Sequence, residues 1–551
     1  MTKEEHQLCK AAIEKAIDQV LQKGCDDVFR PPTFSQSIEH VILQANEAAF
    51  RKDAFDETLT FLRTANLSVQ KIGPVRRSLV AKDENTYRQV AWLDPFDTVK
   101  YLTLAILVFP HIEAARIAKS EHIVHSHRMS EKELFDRAYG YDSFRSKSAD
   151  LSQKYAGKWK VITDIANFFD RIGNHTLENH LLDVGADKKY VTLIREVLLF
   201  WAEDRRSYGI PVGSDASRIL SEAVLLNADR ILIKAGITFI RYVDDYRIFA
   251  ESKAEALKSI EILTTVLADE GLSLNSRKTD VIRVKLEDDK SDATNRFAAE
   301  QHEPLDLTAK KIVRRRIQIS GRTSVSRFYH APGKEALRKI RKIGKMKILD
   351  LIDDCPDADF ESNLKLATKF FIYVEQDVAI LEKAIERRVT SIFYIADALE
   401  KESDKFEGFD CDGIRFALFE VFSWQKCAYP LQLPLIRIAA NPRFRSDDFV
   451  RELFDAHKQS DPPLFFREAI SLGSVCLDRA RIRHLAMATF SNVPDFVTRS
   501  IYFAVLNHPQ LSKDEKRPLL KTMKQKTSDW FIDKLPREPA VVDQQPSATV
   551  G

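Results

Sequence analysis

Two aspartates stand side by side in a run that is otherwise β-branched and aromatic. Ile237 to Ala250 reads Ile-Thr-Phe-Ile-Arg-Tyr-Val-Asp-Asp-Tyr-Arg-Ile-Phe-Ala. Two strand-forming segments thus flank Asp244 and Asp245, a hairpin signal even without glycine. Adjacent carboxylates repel each other and resist desolvation, a cost that a cation or strong hydrogen bonding offsets. Taken alone, the pair also reads as a solvated Asp-Asp turn, since aspartate is common in turns.

The surrounding sequence narrows the choice. Lys158 to Ile165 alternates and is β-rich, so it predicts a strand ending near Asp164, 80 residues before Asp244 (244 minus 164). A helix is expected over Asn167 to Leu182 and another over 214 to 235, the second after a Gly-Ile-Pro-Val-Gly turn at 209–213. Ala254 to Glu270 predicts an amphipathic helix closed by Gly271, with Leu272 to Val284 extended after it. This order describes a split α+β sheet with helices on one face. Upstream, Lys3 to about Gln70 has helical spacing and residues 75–93 read as a short basic hairpin. Downstream, an acidic polar stretch from Glu287 leads to Lys310–Lys347, where basic residues crowd and Glu335 is the only acid. Helical patterns follow near 361–384, 413–426, 446–457, 477–489, 494–507 and 512–531, resembling stacked helical hairpins without a clean repeat period. Residues 536–551 are polar and Pro-bearing, the composition of a disordered tail.

A chain of 551 residues exceeds one core, since domains hold roughly 100 to 200 residues. Its 44% hydrophobic and 30% charged composition is that of a globular protein. A net charge of +3 does not by itself argue for a nucleic-acid partner, so local clusters must carry that argument. Six cysteines without a Cys-x-x-Cys pair argue against structural zinc and a disulfide framework, which suits a cytoplasmic chain. The opening residues lack an apolar signal core, and the longest apolar run, Tyr101–Pro110, is too short to span a bilayer, so no membrane partner is expected.

Four blocks then combine into a resemblance. Tyr242-Val-Asp-Asp245 resembles motif C of reverse transcriptases and Val161-Ile-Thr-Asp-Ile-Ala-Asn-Phe-Phe-Asp170 their motif A. Gly209-Ile-Pro-Val-Gly-Ser-Asp-Ala-Ser217 resembles motif B, and Gly271-Leu-Ser-Leu-Asn-Ser-Arg-Lys-Thr279 the motif D region. The match covers roughly residues 70–285 in the expected order and spacing. It implies a fingers-palm fold and an RNA-directed DNA polymerase-like nucleotidyltransferase that adds dNTPs with Mg²⁺ or Mn²⁺. Nucleotidyl transfer needs divalent cations because the attacking and leaving oxygens both gain negative charge, and hard cations are best held by carboxylates on neighbouring strands.

By the same resemblance Asp164, Asp244, Asp245 and the backbone carbonyl of Ile165 are metal ligands, and Lys278 corresponds to a lysine that could protonate leaving pyrophosphate, with a surface lysine as its alternative reading. Phe169 corresponds to the steric gate against a ribose 2′-hydroxyl, with a core phenylalanine as its alternative reading. Gly209, Pro211 and Gly213 correspond to the loop that a template or nucleotide approaches closely, with an ordinary helix-entry turn as the alternative reading. Arg76, Arg77, Lys82 and Arg88 sit where a fingers hairpin meets the triphosphate, though any one of them reads equally as part of a solvated basic face. Arg314, Arg315, Arg316, Arg322, Arg338 and Lys342, in the basic stretch after the palm, suit backbone phosphates.

Glu113-Ala-Ala-Arg116, His125-Ser-His-Arg128, Leu134-Phe-Asp136 and the run from Ser217 to Asp229 resemble blocks of the bacterial abortive-infection (AbiK-type) and defence-associated reverse transcriptases. This narrower resemblance implies residues 1–150 as N-terminal helices and fingers, 151–290 as palm, 291–350 as a basic thumb-like linker, and 351–535 as an α-helical repeat-like domain. It also implies antiphage defence by DNA synthesis in a bacterial cytoplasm, in some members template-independent and protein-primed, from a homo-oligomer (trimer or hexamer). No tyrosine precedes Tyr87, so an N-terminal priming tyrosine does not transfer. RNA-templated synthesis from a bound non-coding RNA is the alternative, and a non-catalytic nucleic-acid-binding phage sensor is the alternative of another class.

Overall fold

The computed structural model describes residues 2–25, 38–63, 72–81, 86–202, 207–285, 311–320, 323–331, 334–355, 359–422, 424, 427–457, 476–488 and 495–535. The expected acidic stretch after Glu287, the expected tail at 536–551, and Lys82 and Arg322 lie outside them. The chain divides into two compact units. One comprises Met1–Phe29, Glu47–Ser78 and Gln89–His302; the other comprises Arg30–Asn46, Leu79–Arg88 and Glu303–Gly551.

Elements run in the order α1 (Lys3–Lys23), α2 (Ile38–Ala45), α3 (Glu47–Arg63), β1 (Arg76–Ala81), β2 (Tyr87–Trp92), α4 (Pro95–Ala115) and α5 (Tyr141–Lys154). Strand β3 (Trp159–Asp164) follows, then α6 (Phe168–Arg171), α7 (Asn174–Asp183), α8 (Lys188–Trp201), α9 (Asp215–Val224) and α10 (Leu226–Lys234). The hairpin β4 (Thr238–Tyr242) and β5 (Asp245–Ala250), helix α11 (Lys253–Asp269) and strand β6 (Asp280–Arg283) complete the described part of the first unit.

Helix α4 is the centre of the first unit's helical core. Asp94 caps its N-terminus by accepting from the Phe96 N–H, and Pro95 occupies its first turn, where a missing N–H costs nothing. At 21 residues it is longer than the apolar run suggests, and it is long and apolar enough to cross a membrane. However, 67% of its most apolar window is buried against the fold, where α1, α3, α8 and α9 pack on it. It is a core helix, and its buried Asp97 and Lys100 pair at 3.3 Å.

The four-stranded sheet has the order β4-β5-β3-β6, antiparallel throughout. Strand pleat sorts its side chains onto two faces. On one face Ile240 and Phe249 pack with Phe144 of α5, with Tyr141, Leu151 and Tyr242 against them. Arg241 and its cross-strand partner Tyr246 take the other face. Helix α11 packs on β3, β5 and β6.

Two expected helices of the first unit are interrupted, and those expected at 361–384 and 512–531 in the second unit are likewise split, after Tyr373 and after Lys526. The span from Asn167 to Leu182 breaks after Arg171, because Gly173 pairs in a β-bridge with Tyr208 and so leaves the helical path. The span 214–235 is divided at Leu225. Of the expected extended stretch Leu272–Val284, only Asp280–Arg283 is strand, preceded by a short 3₁₀ turn at Ser276–Lys278.

In the second unit the basic stretch holds a hairpin, β7 (Lys311–Ser320) and β8 (Thr323–Ala331). A helical region follows: α12 (Lys334–Arg341), α13 (Lys345–Asp353), α14 (Phe360–Tyr373), α15 (Ala379–Arg387) and α16 (Ser391–Lys401) come first. Then come α17 (Asp412–Arg415), which runs on into a single π-turn, α18 (Tyr429–Ala440), α19 (Asp447–His457), α20 (Arg479–Ala488), α21 (Asp495–Asn507), α22 (Lys513–Lys526) and α23 (Trp530–Lys534). Buried ion pairs tie it internally: Arg437 of α18 donates to Glu400 of α16 at 2.8 and 3.0 Å, and Arg499 of α21 to Asp529 at 2.6 and 2.9 Å.

Candidate active site

Strand β3 ends at Asp164, and the β4–β5 hairpin delivers the other two acids. In the antiparallel register Asp164 lies directly opposite Asp245, and Tyr242 opposite Asp245 on the other side. Opposed residues of an antiparallel pair share a face, so the Asp164 and Asp245 side chains leave the sheet on the same side, their Cβ atoms roughly 5 Å apart. Val243 and Asp244 form the two-residue turn, and the Ile165 N–H donates to the Asp244 carbonyl at 3.2 Å. Three carboxylates are therefore brought to one end of the sheet from segments 80 residues apart (244 minus 164).

The motif D region fixes the end of β3 from the far side. Asn275 donates its N–H to the Asp164 carbonyl at 2.8 Å, Ala166 donates to the Ser273 carbonyl at 2.8 Å, and the Thr163 and Thr279 hydroxyls bond at 2.7 Å. This arrangement carries Lys278 to Asp164, with Nζ 3.0 Å from Oδ2. The other oxygen, Oδ1, is buried and has no hydrogen-bond partner. Asp245 is pushed up to about 7, first by burial and then by the Asp244 carboxylate, with Asp164 adding to the effect and Arg247 and Lys278 opposing it. Among the described residues no group of three or more His, Cys, Asp or Glu side chains, the Asp164, Asp244 and Asp245 trio included, is spaced to hold a metal ion. An orphaned buried carboxylate oxygen and a carboxyl that resists ionisation beside two others are nevertheless what an oxygen-seeking dication would correct, so the donor set fits one.

The glycine loop joins the same neighbourhood through its backbone. Gly209 donates to the Ile172 carbonyl at 2.8 Å, Ile210 to that of Phe169 at 3.0 Å, and Ala91 of β2 to that of Val212 at 3.2 Å. Gly209 has φ +96°, and a Cβ there would lie 3.3 Å from the Asp170 carbonyl, so glycine is required. Gly213 also has positive φ, and Pro211 between them is buried. Phe169 is partly buried against Phe168, their rings 5.4 Å apart.

The basic candidates divide. Arg77 is exposed and donates to the Trp201 carbonyl at 3.1 Å, Arg76 is partly buried and Arg88 exposed. Arg314, Arg315 and Arg316 lie on β7, while Arg338 and Lys342 are exposed at the end of α12. Residues 314–316, 338 and 342 belong to the second unit.

The residues that carry the hairpin from behind were not foreseen as functional. Arg241, Glu222 and Arg116 have side chains that are 0% exposed, and they form one ionic network with Asp229. The available signal was an arginine in phase with Phe239 on β4, hence facing inward, and a glutamate inside the apolar stripe of α9.

Residues 117–310 match the family model described as reverse transcriptase (RNA-dependent DNA polymerase). The chain therefore carries a reverse-transcriptase-like polymerase domain, an RNA-directed DNA polymerase-like nucleotidyltransferase. No curated protein matches the chain by sequence. Solved structures similar to it include apo telomerase from Candida tropicalis (12% identity over 83% of this chain and 74% of that one, TM-score 0.30). Telomerase from Candida albicans in complex with a TWJ fragment of telomeric RNA aligns at 11% identity over 77% and 65%, with TM-score 0.29. A C-terminally truncated apo telomerase from Candida tropicalis aligns at 13% over 39% of this chain and 51%, about half, of its own length, with TM-score 0.28.

Proposed function

We propose that this chain is a metal-dependent DNA polymerase that adds dNTPs to a growing strand and serves antiphage defence. The observation that carries the catalytic reading is the register of β3 against β5, which sets Asp164 beside Asp245 with Asp244 in the adjoining turn. Asp164, Asp244, Asp245 and the Ile165 carbonyl would hold Mg²⁺ or Mn²⁺. When bound, the cations neutralise charge on the attacking and leaving oxygens and orient the triphosphate.

The chain's own groups supply the rest. Lys278 lies within reach of the site through Asp164 and carries the proton that the leaving pyrophosphate takes up. Phe169 screens the ribose 2′ position, and the Gly209–Pro211–Gly213 loop lets a base pair approach the backbone. Arg76, Arg77, Lys82 and Arg88 bind the triphosphate, and Arg314, Arg315, Arg316, Arg322, Arg338 and Lys342 the nucleic-acid backbone. The defence role rests on the blocks at 113–116, 125–128, 134–136 and 217–229 that resemble the abortive-infection group. The same resemblance supports an oligomer, and synthesis either without a template or on a bound RNA.

The test is a denaturing gel of purified chain with labelled dNTPs and Mg²⁺. Product that disappears in Asp244→Ala and Asp245→Ala is expected. Product that persists in both variants contradicts the reading, and phage resistance that survives Asp244→Ala would assign the chain to a sensing scaffold instead.

A further inference from the structure

The turn that presents Asp244 is strained, and one buried arginine is bonded to it. Val243 has φ +55°, a region that a β-branched residue enters only at a cost. Its carbonyl accepts from Arg241 Nη1 at 2.9 Å. The same guanidinium is pinned at its other edges: Nε donates to Asp229 Oδ1 at 2.9 Å, and Nη2 to Asp229 Oδ2 at 2.6 Å and Glu222 Oε2 at 3.0 Å.

Both anchors are themselves held. Glu222 accepts from the Ser126 hydroxyl at 2.6 Å and pairs with Arg116 Nη2 at 3.0 Å. Arg116 in turn donates to the Ser126 and His127 carbonyls at 2.6 and 3.0 Å. The Arg241 backbone is fixed as well, its N–H donating to the Ile123 carbonyl at 2.8 Å and its carbonyl accepting from the His125 N–H at 2.9 Å. Ser126, Glu222 and Asp229 come from three separate segments, so the guanidinium has one available orientation.

We infer that Arg241, clamped by Glu222 and Asp229, is a positioning residue that holds the Val243 carbonyl and so keeps the strained turn in the conformation that presents Asp244 and Asp245 to the metal side. This inference rests on the polymerase reading above. A planar fork with several donors is needed, because lysine offers one point charge and cannot bond two carboxylates and the Val243 carbonyl in fixed directions.

The test is a double-mutant cycle on the full chain with Arg241→Lys and Val243→Gly. Glycine adopts positive φ without strain, so it removes the need for the clamp while leaving the acids untouched. The readouts are kcat and KM for dNTP, Mn²⁺ binding by electron paramagnetic resonance without nucleotide, and thermal unfolding. Arg241→Lys is expected to lower kcat roughly 10- to 100-fold with KM nearly unchanged, and to weaken Mn²⁺ binding by about tenfold. In the Val243→Gly background the same substitution should cost less than about threefold. Losses equal in the two backgrounds, or a folded Arg241→Lys chain with unaltered kcat and Mn²⁺ affinity, would overturn the inference. Should the parent chain make no product, the polymerase reading fails, whereas the Mn²⁺ cycle still reports on the turn.

Discussion

The two faces of the four-stranded sheet handle buried charge differently. Behind it, Glu113, Glu222 and Asp229 meet Arg116, Arg128 and Arg241, three acids against three guanidinium groups, with most donors directed at named acceptors. Burial works against both buried carboxylates: Arg116 and Arg241 outweigh it at Glu222 and hold that group below its usual range, whereas at Asp229 burial prevails over Arg241 and the group is raised. In front, Asp164, Asp244 and Asp245 converge with Lys278 bonded to one of them, and Asp245 is driven up rather than down. A network of paired acids and guanidinium groups is rigid, while acids that converge with a buried oxygen left over suit a cation. On the function proposed above, the contrast separates support from chemistry within one sheet.

The largest effects should come from the front. Asp244→Ala or Asp245→Ala removes a site for transition-state charge worth about 4 kcal/mol, so dNTP incorporation should fall roughly 10³-fold, measured as initial rates. The second prediction concerns pH. Folded Asp245 keeps its proton to about pH 7, whereas in the unfolded chain it loses it near 3.8. Its contribution to the metal-free fold is therefore complete below pH 3.8 and is lost as pH rises through 7, up to about 4 kcal/mol in total. Asp245→Asn should flatten that dependence in thermal unfolding without divalent ions, and Mg²⁺ affinity should rise towards pH 7 as the proton leaves.

Breaking the rear face should cost stability instead. Glu222→Gln leaves Arg116 and Arg241 short of one buried carboxylate and should destabilise the chain by about 3 kcal/mol, read by thermal unfolding. The smallest expected effect is at the loop: Gly209→Ala forces a Cβ into positive φ and against the Asp170 carbonyl, for about 1–2 kcal/mol.

The front face was legible from sequence because each part follows a local rule. Alternation marks β3 and the hairpin, and positive φ explains the glycines at 209 and 213. The rear face was not, because Glu222, Asp229 and Arg241 read as ordinary charged residues until tertiary pairing buries them. In the second unit the β7–β8 hairpin was hidden by Arg314, Arg315 and Arg316, whose consecutive charges mask the β-branched Ile312, Val313 and Ile317. Helix α18 was missed because Pro430 and Pro434 argue against a helix, although Pro430 falls in the first turn, where it is tolerated.

The most direct measurement is the position of Mn²⁺ in crystals of the full chain, located by anomalous scattering. The account predicts density between the carboxylates of Asp164, Asp244 and Asp245, lost in Asp245→Asn. Density elsewhere, or none in crystals that remain ordered at saturating Mn²⁺, would contradict it.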